Sequence, residues 1–136
     1  MERDIVKDAV FLSQKSQPAT AGDLQVVIDL LDTLKAHRDG CVGMAANMIG
    51  QLKRIIAIDT GVMDVAMINP VILKKSDPYD TAEGCLSHSG QRKTVRYKKI
   101  QVEFFDVTFK KHRRTYTGYT AQIIQHEIDH CDGVII

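Results

Sequence analysis

The chain has 136 residues, 44% hydrophobic and 26% charged, with a formal net charge of +1. That length suits one domain, expected over 1–136, with a real core. The near-zero charge does not argue for nucleic-acid or membrane binding, no DNA partner is expected, and no apolar run is long enough to span a membrane.

The N-terminus, Met1-Glu2-Arg3-Asp4, shows no signal-peptide pattern. Cys41, Cys85 and Cys131 are an odd number without a disulfide framework, which fits a reducing cytoplasm. Residues 1–21 carry the apolar patch Val10-Phe11-Leu12 and are expected to form an extended or helical arm followed by a loop. Asp23 is the expected N-cap of a helix over 24–37, with Leu24, Val27, Ile28, Leu31 and Leu34 on its apolar face. Three glycines and two alanines between Gly40 and Gly50 indicate backbone passing close to a neighbour, either a strand or a ligand.

Lys53–Asp59 is an expected strand, and Val65–Asn69 a second. Residues 70–75 continue it or form a third, with Pro70 marking an edge or bend. Residues 76–82 are expected as loop, then Glu83–Ser87 as a tight turn and 88–90 as a polar turn. Lys93–Asp106 is an expected long strand with a hairpin partner over 107–117, and the basic run Lys110–Arg114 lies near the tip. That run is expected as a solvated hairpin end, the alternative being a polyanion contact such as ribosomal RNA. A last helix is expected over 119–131, closed by Gly133. This order, helix, strands, helix, gives an α+β domain.

The chemistry concentrates on that last helix, at Gln125-His126-Glu127-Ile128-Asp129-His130. Histidines four apart on a helix share a face and can reach one metal ion, with Glu127 beside them as a general base. A catalytic site of this kind needs a third protein ligand. Only six residues follow His130, so that ligand is expected upstream. Cys85, after the flexible Gly84, is the best candidate, since a thiolate suits a borderline-soft divalent ion.

Gly43-Met44-Ala45-Ala46-Asn47-Met48-Ile49-Gly50, Glu83-Gly84-Cys85-Leu86-Ser87 and the His126 helix stand in order along the chain, within a similarity covering about 22–136. Together they resemble the ordered signature motifs of the peptide deformylase family. The resemblance implies mixed, mainly antiparallel β-sheets packed around a central C-terminal helix. It implies removal of the formyl group from N-formylmethionyl peptides of nascent proteins in the cytoplasm. It implies one divalent ion on Cys85, His126 and His130, Fe(II) in the native state, with Zn(II), Ni(II) or Co(II) as substitutes. Glu127 would move the proton, and the Leu86 N–H would hold the oxyanion together with residue 48. Gly43, Glu83, Gly84, Gln122 and Ile123 would line the substrate, and Arg92 would pair with Glu83.

This sequence departs from the family pattern in several places. Asn47 stands where the family has proline, and Met48 where it has a glutamine that donates to the oxyanion, which a thioether cannot do. Gln122 is polar where relatives present an apolar residue to the methionine pocket. The chain stops soon after the metal helix, without the C-terminal extension that helps relatives reach the ribosome. The alternative reading is therefore a metal-binding protein with weak or no turnover that holds formyl-peptides or another partner. A short zinc endopeptidase is a third and weaker reading, because the downstream ligand it would need is missing.

Overall fold

The computed structural model describes residues 1–136, His88 by its backbone alone. Its elements are α1 (Ala9–Leu12), α2 (Leu24–Ala36), β1 (Gly43–Ala45), β2 (Ile55–Asp59), β3 (Asp64–Cys85), β4 (His88–Phe105), β5 (Lys111–Thr117) and α3 (Gly118–Cys131). The strands form a five-stranded sheet in the order β1-β2-β3-β4-β5, each pair antiparallel. The expected α+β architecture, a mainly antiparallel sheet with the motif-bearing C-terminal helix packed on it, is what the chain adopts.

The alternation of β2 explains the layering. Ile56 and Ile58 pack toward Ala121, Ile124, Ile128 and Cys131 of α3, together with Ile100, Val102 and Phe104 of β4. Ile55 and Ala57 point the other way, onto Val27, Leu30 and Leu34 of α2. Successive side chains of a strand face opposite sides, so a run of four apolar residues serves two cores. All four are fully buried.

Several expected elements differ. Asp23 holds the N-cap position of α2 as expected, but its side chain makes no capping bond there: Thr20 accepts from the Gly22 N–H, and the Asp23 carboxylate accepts from the Thr20 N–H. Asp23 thus closes a capping box on a short 3₁₀ turn that feeds into α2. The apolar face of α2 is also rotated. Leu24 and Ile28 are 45% and 42% exposed, while Val27, Leu30 and Leu34 are buried. Residues 76–82 are not a loop but part of the 22-residue β3. Pro78, Asp77 and Asp80 weaken the local β pattern, yet the ladder with β4 runs on through Pro78 opposite Tyr97 and Asp80 opposite Val95. The register shifts between Ile68 and Val71, around Pro70, where Asn69 has a φ of 52°. That is the bend expected at Pro70. The turn between β3 and β4 is Leu86-Ser87, so β4 begins at His88 where a turn was expected. Lys111–Arg114 lie inside β5, and the hairpin reverses at Asp106–Lys110. There the Asp106 carboxylate accepts from the N–H groups of Thr108 and Lys110.

Two devices hold the site end together. Helix α3 ends in a Schellman motif: Gly133 N–H donates to His130 C=O and Val134 N–H to Asp129 C=O, with Gly133 at φ 78°. The N-terminal arm crosses over it, the Ser16 N–H donating to Cys131 C=O and the Val6 N–H to Met48 C=O. Among the described residues no helix is long and apolar enough to cross a membrane.

Candidate metal centre and its cleft

Helix α3 is fixed in rotation before it offers any ligand. The buried Gln125 side chain accepts from the Tyr97 N–H and donates to Tyr97 C=O on β4, at 2.8 and 2.9 Å. With that face locked, the next turn presents His126 and His130 together, their Nε2 atoms 3.0 Å apart. Cys85, the last residue of β3, brings its Sγ to 3.4 Å from His130 Nε2. The three ligand atoms all lie within 4.8 Å of one another. Tetrahedral bonds of about 2.0–2.1 Å to nitrogen and about 2.3 Å to sulfur imply edges of about 3.3 and 3.6 Å. The observed edges are a few tenths of an ångström shorter, so these donors fit one small divalent ion with slight spreading.

Glu127 lies next to this cluster and is buried, and its Oε1 has no hydrogen-bond partner among the described residues. Burial pushes its carboxyl up to about 7, the charge of His126 acting against that shift. A buried carboxylate without a partner is costly in a structural role, and it is what a proton-transferring group needs. Gly43 of β1 makes room for it. A Cβ built there would sit 2.6 Å from Ile123 Cγ2 and 2.9 Å from Glu127 Oε2.

Glu83 orients the first histidine. Its carboxylate accepts from His126 Nδ1 at 2.7 Å, from Gln122 Nε2 at 2.8 Å and from the Arg96 guanidinium at 2.7 Å. Burial alone would raise the Glu83 carboxyl, but these donors outweigh it and hold it at about 2. With Nδ1 committed to Glu83, the Nε2 lone pair of His126 faces the ligand cluster. Arg96 continues the chain of contacts to Asp129 at 2.6 Å.

The expected Glu83–Arg92 pair does not form. Arg92 stands directly across the ladder from Glu83 but is exposed. Arg96, four residues further along the same strand face, is the buried partner. Both arginines have the strand parity required, so spacing alone did not separate them. Asp129, inside the helix motif, is the other residue the sequence reading passed over. Its position three after His126 was the available signal.

A cleft of about 560 Å³ opens above the cluster. Of the residues singled out in the sequence, Gly43, Met48, Glu83, Gly84, Cys85, Leu86, Gln122, Ile123, His126 and Glu127 all line it, and His130 sits just behind. Cys41 and Tyr119, not singled out, line it too. Met48 is 1% exposed and brings no hydrogen-bond donor to the cleft wall. Gln122 spends an amide proton on Glu83. Asn47, also buried, donates from Nδ2 to His130 C=O at 3.0 Å and so ties the 43–50 loop to the metal helix.

A cysteine sulfur, two imidazoles and a buried carboxyl with one oxygen unpaired among the described residues, at the floor of a cleft, are the layout of a hydrolase that works with one divalent ion. Comparison with known proteins makes this specific. The family model described as polypeptide deformylase matches residues 3–136. A peptide deformylase of Clostridium beijerinckii is 55% identical over 136 residues, covering 100% of both chains. Peptide deformylase 2 of Clostridium acetobutylicum is 37% identical, over 91% of this chain and 85% of that protein. The fold is similar to the crystal structure of PDF from Vibrio parahaemolyticus bacteriophage VP16T in complex with actinonin. There the TM-score is 0.87 at 34% identity, over 98% of this chain and 99% of that one. The peptide deformylase of Thermotoga maritima superposes with a TM-score of 0.87 at 31% identity, over 99% and 94%. The chain belongs to the peptide deformylase family.

Proposed function

We infer that this protein is a metal-dependent peptide deformylase, hydrolysing the formyl amide of N-formylmethionyl peptides in the cytoplasm. The observation that carries this is the convergence of Cys85, His126 and His130 with Glu127 beside them, its buried Oε1 unpaired among the described residues. The full-length likeness to a peptide deformylase at 55% identity supports the substrate class.

Cys85, His126 and His130 would hold the ion, Fe(II) in the native state, with Zn(II), Ni(II) or Co(II) able to substitute in this thiolate and imidazole set. Such an ion supplies Lewis acidity, polarising the formyl carbonyl and acidifying water. Glu127 takes the proton of the attacking water on its free Oε1 and hands it to the leaving amine. Glu83 holds His126 in orientation through Nδ1. The Leu86 N–H, next to Cys85 in the turn, donates to the oxyanion. Gly43 and Ile123 flank the peptide, with Gly84 and Gln122 on the facing wall. Met48 occupies the remaining oxyanion position without donating, which favours slow turnover. That same residue is the one observation in favour of the second reading, a formyl-peptide binder with little hydrolysis.

The test is a panel of Met-initiated tripeptides with and without the formyl group, given to anaerobically purified, Fe(II)-loaded protein. Formate release from the formylated members alone supports the deformylase. Binding without release supports the second reading, and cleavage of internal peptide bonds would point to an endopeptidase.

A further inference from the structure

We propose that the sheet face turned away from α3 is a docking surface for the phosphodiester backbone of folded RNA. The choice of RNA rests on the deformylase reading, because formylated chains are made on RNA-bearing machinery.

The charge of this chain is segregated. Residues 71–117 hold eleven of the eighteen Lys and Arg residues but only five of the seventeen Asp and Glu. An overall charge of +1 therefore hides a basic half and an acidic half. The strand registers then sort the basic half by face. Ile100, Val102 and Phe104 of β4 pack on α3, so Lys99, Gln101 and Glu103 point the other way. Antiparallel partners share a face. Lys74 lies opposite Gln101, Ser76 opposite Lys99, Thr115 opposite Gln101, and Arg113 opposite Glu103, while Lys111 lies opposite Phe105. Around β5 that face thus carries Lys74, Lys99, Lys111 and Arg113 against one acid, Glu103, while Asp80 lies further along β3, opposite Val95. Glu103 is already engaged by Arg113 at 2.9 Å and Lys111 at 3.6 Å. Lys74 and Lys99 are exposed and make no ion pair among the described residues.

Between these lysines lies a depression of about 470 Å³, lined by Lys74, Lys75, Ser76, Lys99, Gln101 and Thr115 around Ile100. Its polar lining consists of cations, hydroxyls and an amide, with no carboxylate. That is the chemistry of a phosphate-contacting surface. No aromatic ring lines it, so it lacks the stacking platform that single strands use. Hydroxyl and amide groups beside the lysines suit the 2′-hydroxyls displayed by helical RNA. Lys74 lies roughly 36 Å along β3 from Cys85, at about 3.3 Å per residue. An RNA held there leaves the cleft open to a formylated peptide.

The test is fluorescence anisotropy of a labelled RNA hairpin with the metal-loaded full chain, from about 50 to about 200 mM salt. A slope of log affinity on log salt near −3 is expected, for about four phosphate contacts. K74E/K99E should weaken binding at least tenfold and flatten the slope by about 2, and K74Q/K99Q should fall between it and the wild type. Both variants should keep the thermal midpoint and the kcat/KM on a formyl-Met tripeptide. The proposal is overturned by absence of RNA binding at low salt, or by K74E/K99E binding as the wild type does. It is equally overturned if a DNA duplex or anionic phospholipid vesicles bind as tightly, or if the variants lose tripeptide turnover. RNA binding by a protein that releases no formate would sink the deformylase reading and leave this surface standing.

Discussion

Replacing Gly43 by Ala adds one methyl group where β1 meets α3. Its Cβ would lie 2.6 Å from Ile123 Cγ2 and 2.9 Å from Glu127 Oε2. Non-bonded carbons rest at about 3.5–4.0 Å, so relief needs a shift of about 1 Å. Ile123 is β-branched and stiff at χ1, and both it and Glu127 are buried. Gly43 has no positive φ, so Ala can adopt its backbone and the effect comes from the contact alone. Overpacking of this kind costs about 1–3 kcal/mol, which for a chain of this length lowers Tm by roughly 3–10 °C. The larger effect is on chemistry. Moving a proton-transferring carboxylate by about 1 Å costs roughly 100-fold in rate. No ligand atom is touched, so metal content should stay at the wild-type level. The assay is kcat/KM on a formyl-Met tripeptide with metal per chain measured on the same sample. Turnover within about twofold of wild type would refute the placement of Gly43 against Glu127.

Three further outcomes follow from the same geometry. Met48→Gln returns an amide donor to the cleft wall and should raise kcat more than it lowers KM, by up to about 100-fold; an unchanged kcat/KM at matched metal would show that Met48 is not limiting. Asn47→Ala removes both the tie to His130 C=O and a buried Oδ1 that has no partner. These effects offset, and His130 C=O keeps the Gly133 N–H, so stability should change by less than about 1 kcal/mol, while metal loss to a chelator speeds several-fold; unchanged loss would contradict the role of the tie. Arg96→Met leaves Glu83 and Asp129 without their shared cation and should cost about 3–5 kcal/mol on thermal or urea unfolding, with metal affinity down about 10- to 100-fold.

The helix half of the candidate site is legible because its side chains are local: the spacing of His126 and His130 is the helical repeat itself, and Glu127 stands between them. Cys85 was reachable because the chain offers no carboxylate after His130 except Asp132. What supports these residues was not legible, because it depends on tertiary register. Arg92 and Arg96 share a strand face, and only the twist and depth of the β3–β4 hairpin bring the second one, not the first, onto Glu83. Residues 76–82 have turn-like composition, and their pairing with β4 overrides it. The helical period of α2 was visible, but which residues it buries was set by β2, so Leu30 replaced Ile28 in the core. Asn47 was visible as a departure from the family pattern, but its bond to His130 C=O spans 83 residues of sequence.

In the proposed reaction Glu127 moves the proton at a metal centre held by Cys85, His126 and His130. Its most direct test is formate release from a formyl-Met tripeptide by Glu127→Gln beside wild type, both Fe(II)-loaded, with metal quantified in the assayed samples. Glutamine keeps the size of the side chain and cannot act as a base. Equal metal per chain is expected, with a loss of about 100- to 10,000-fold in kcat. Undiminished formate release by a metal-replete Glu127→Gln variant would contradict it.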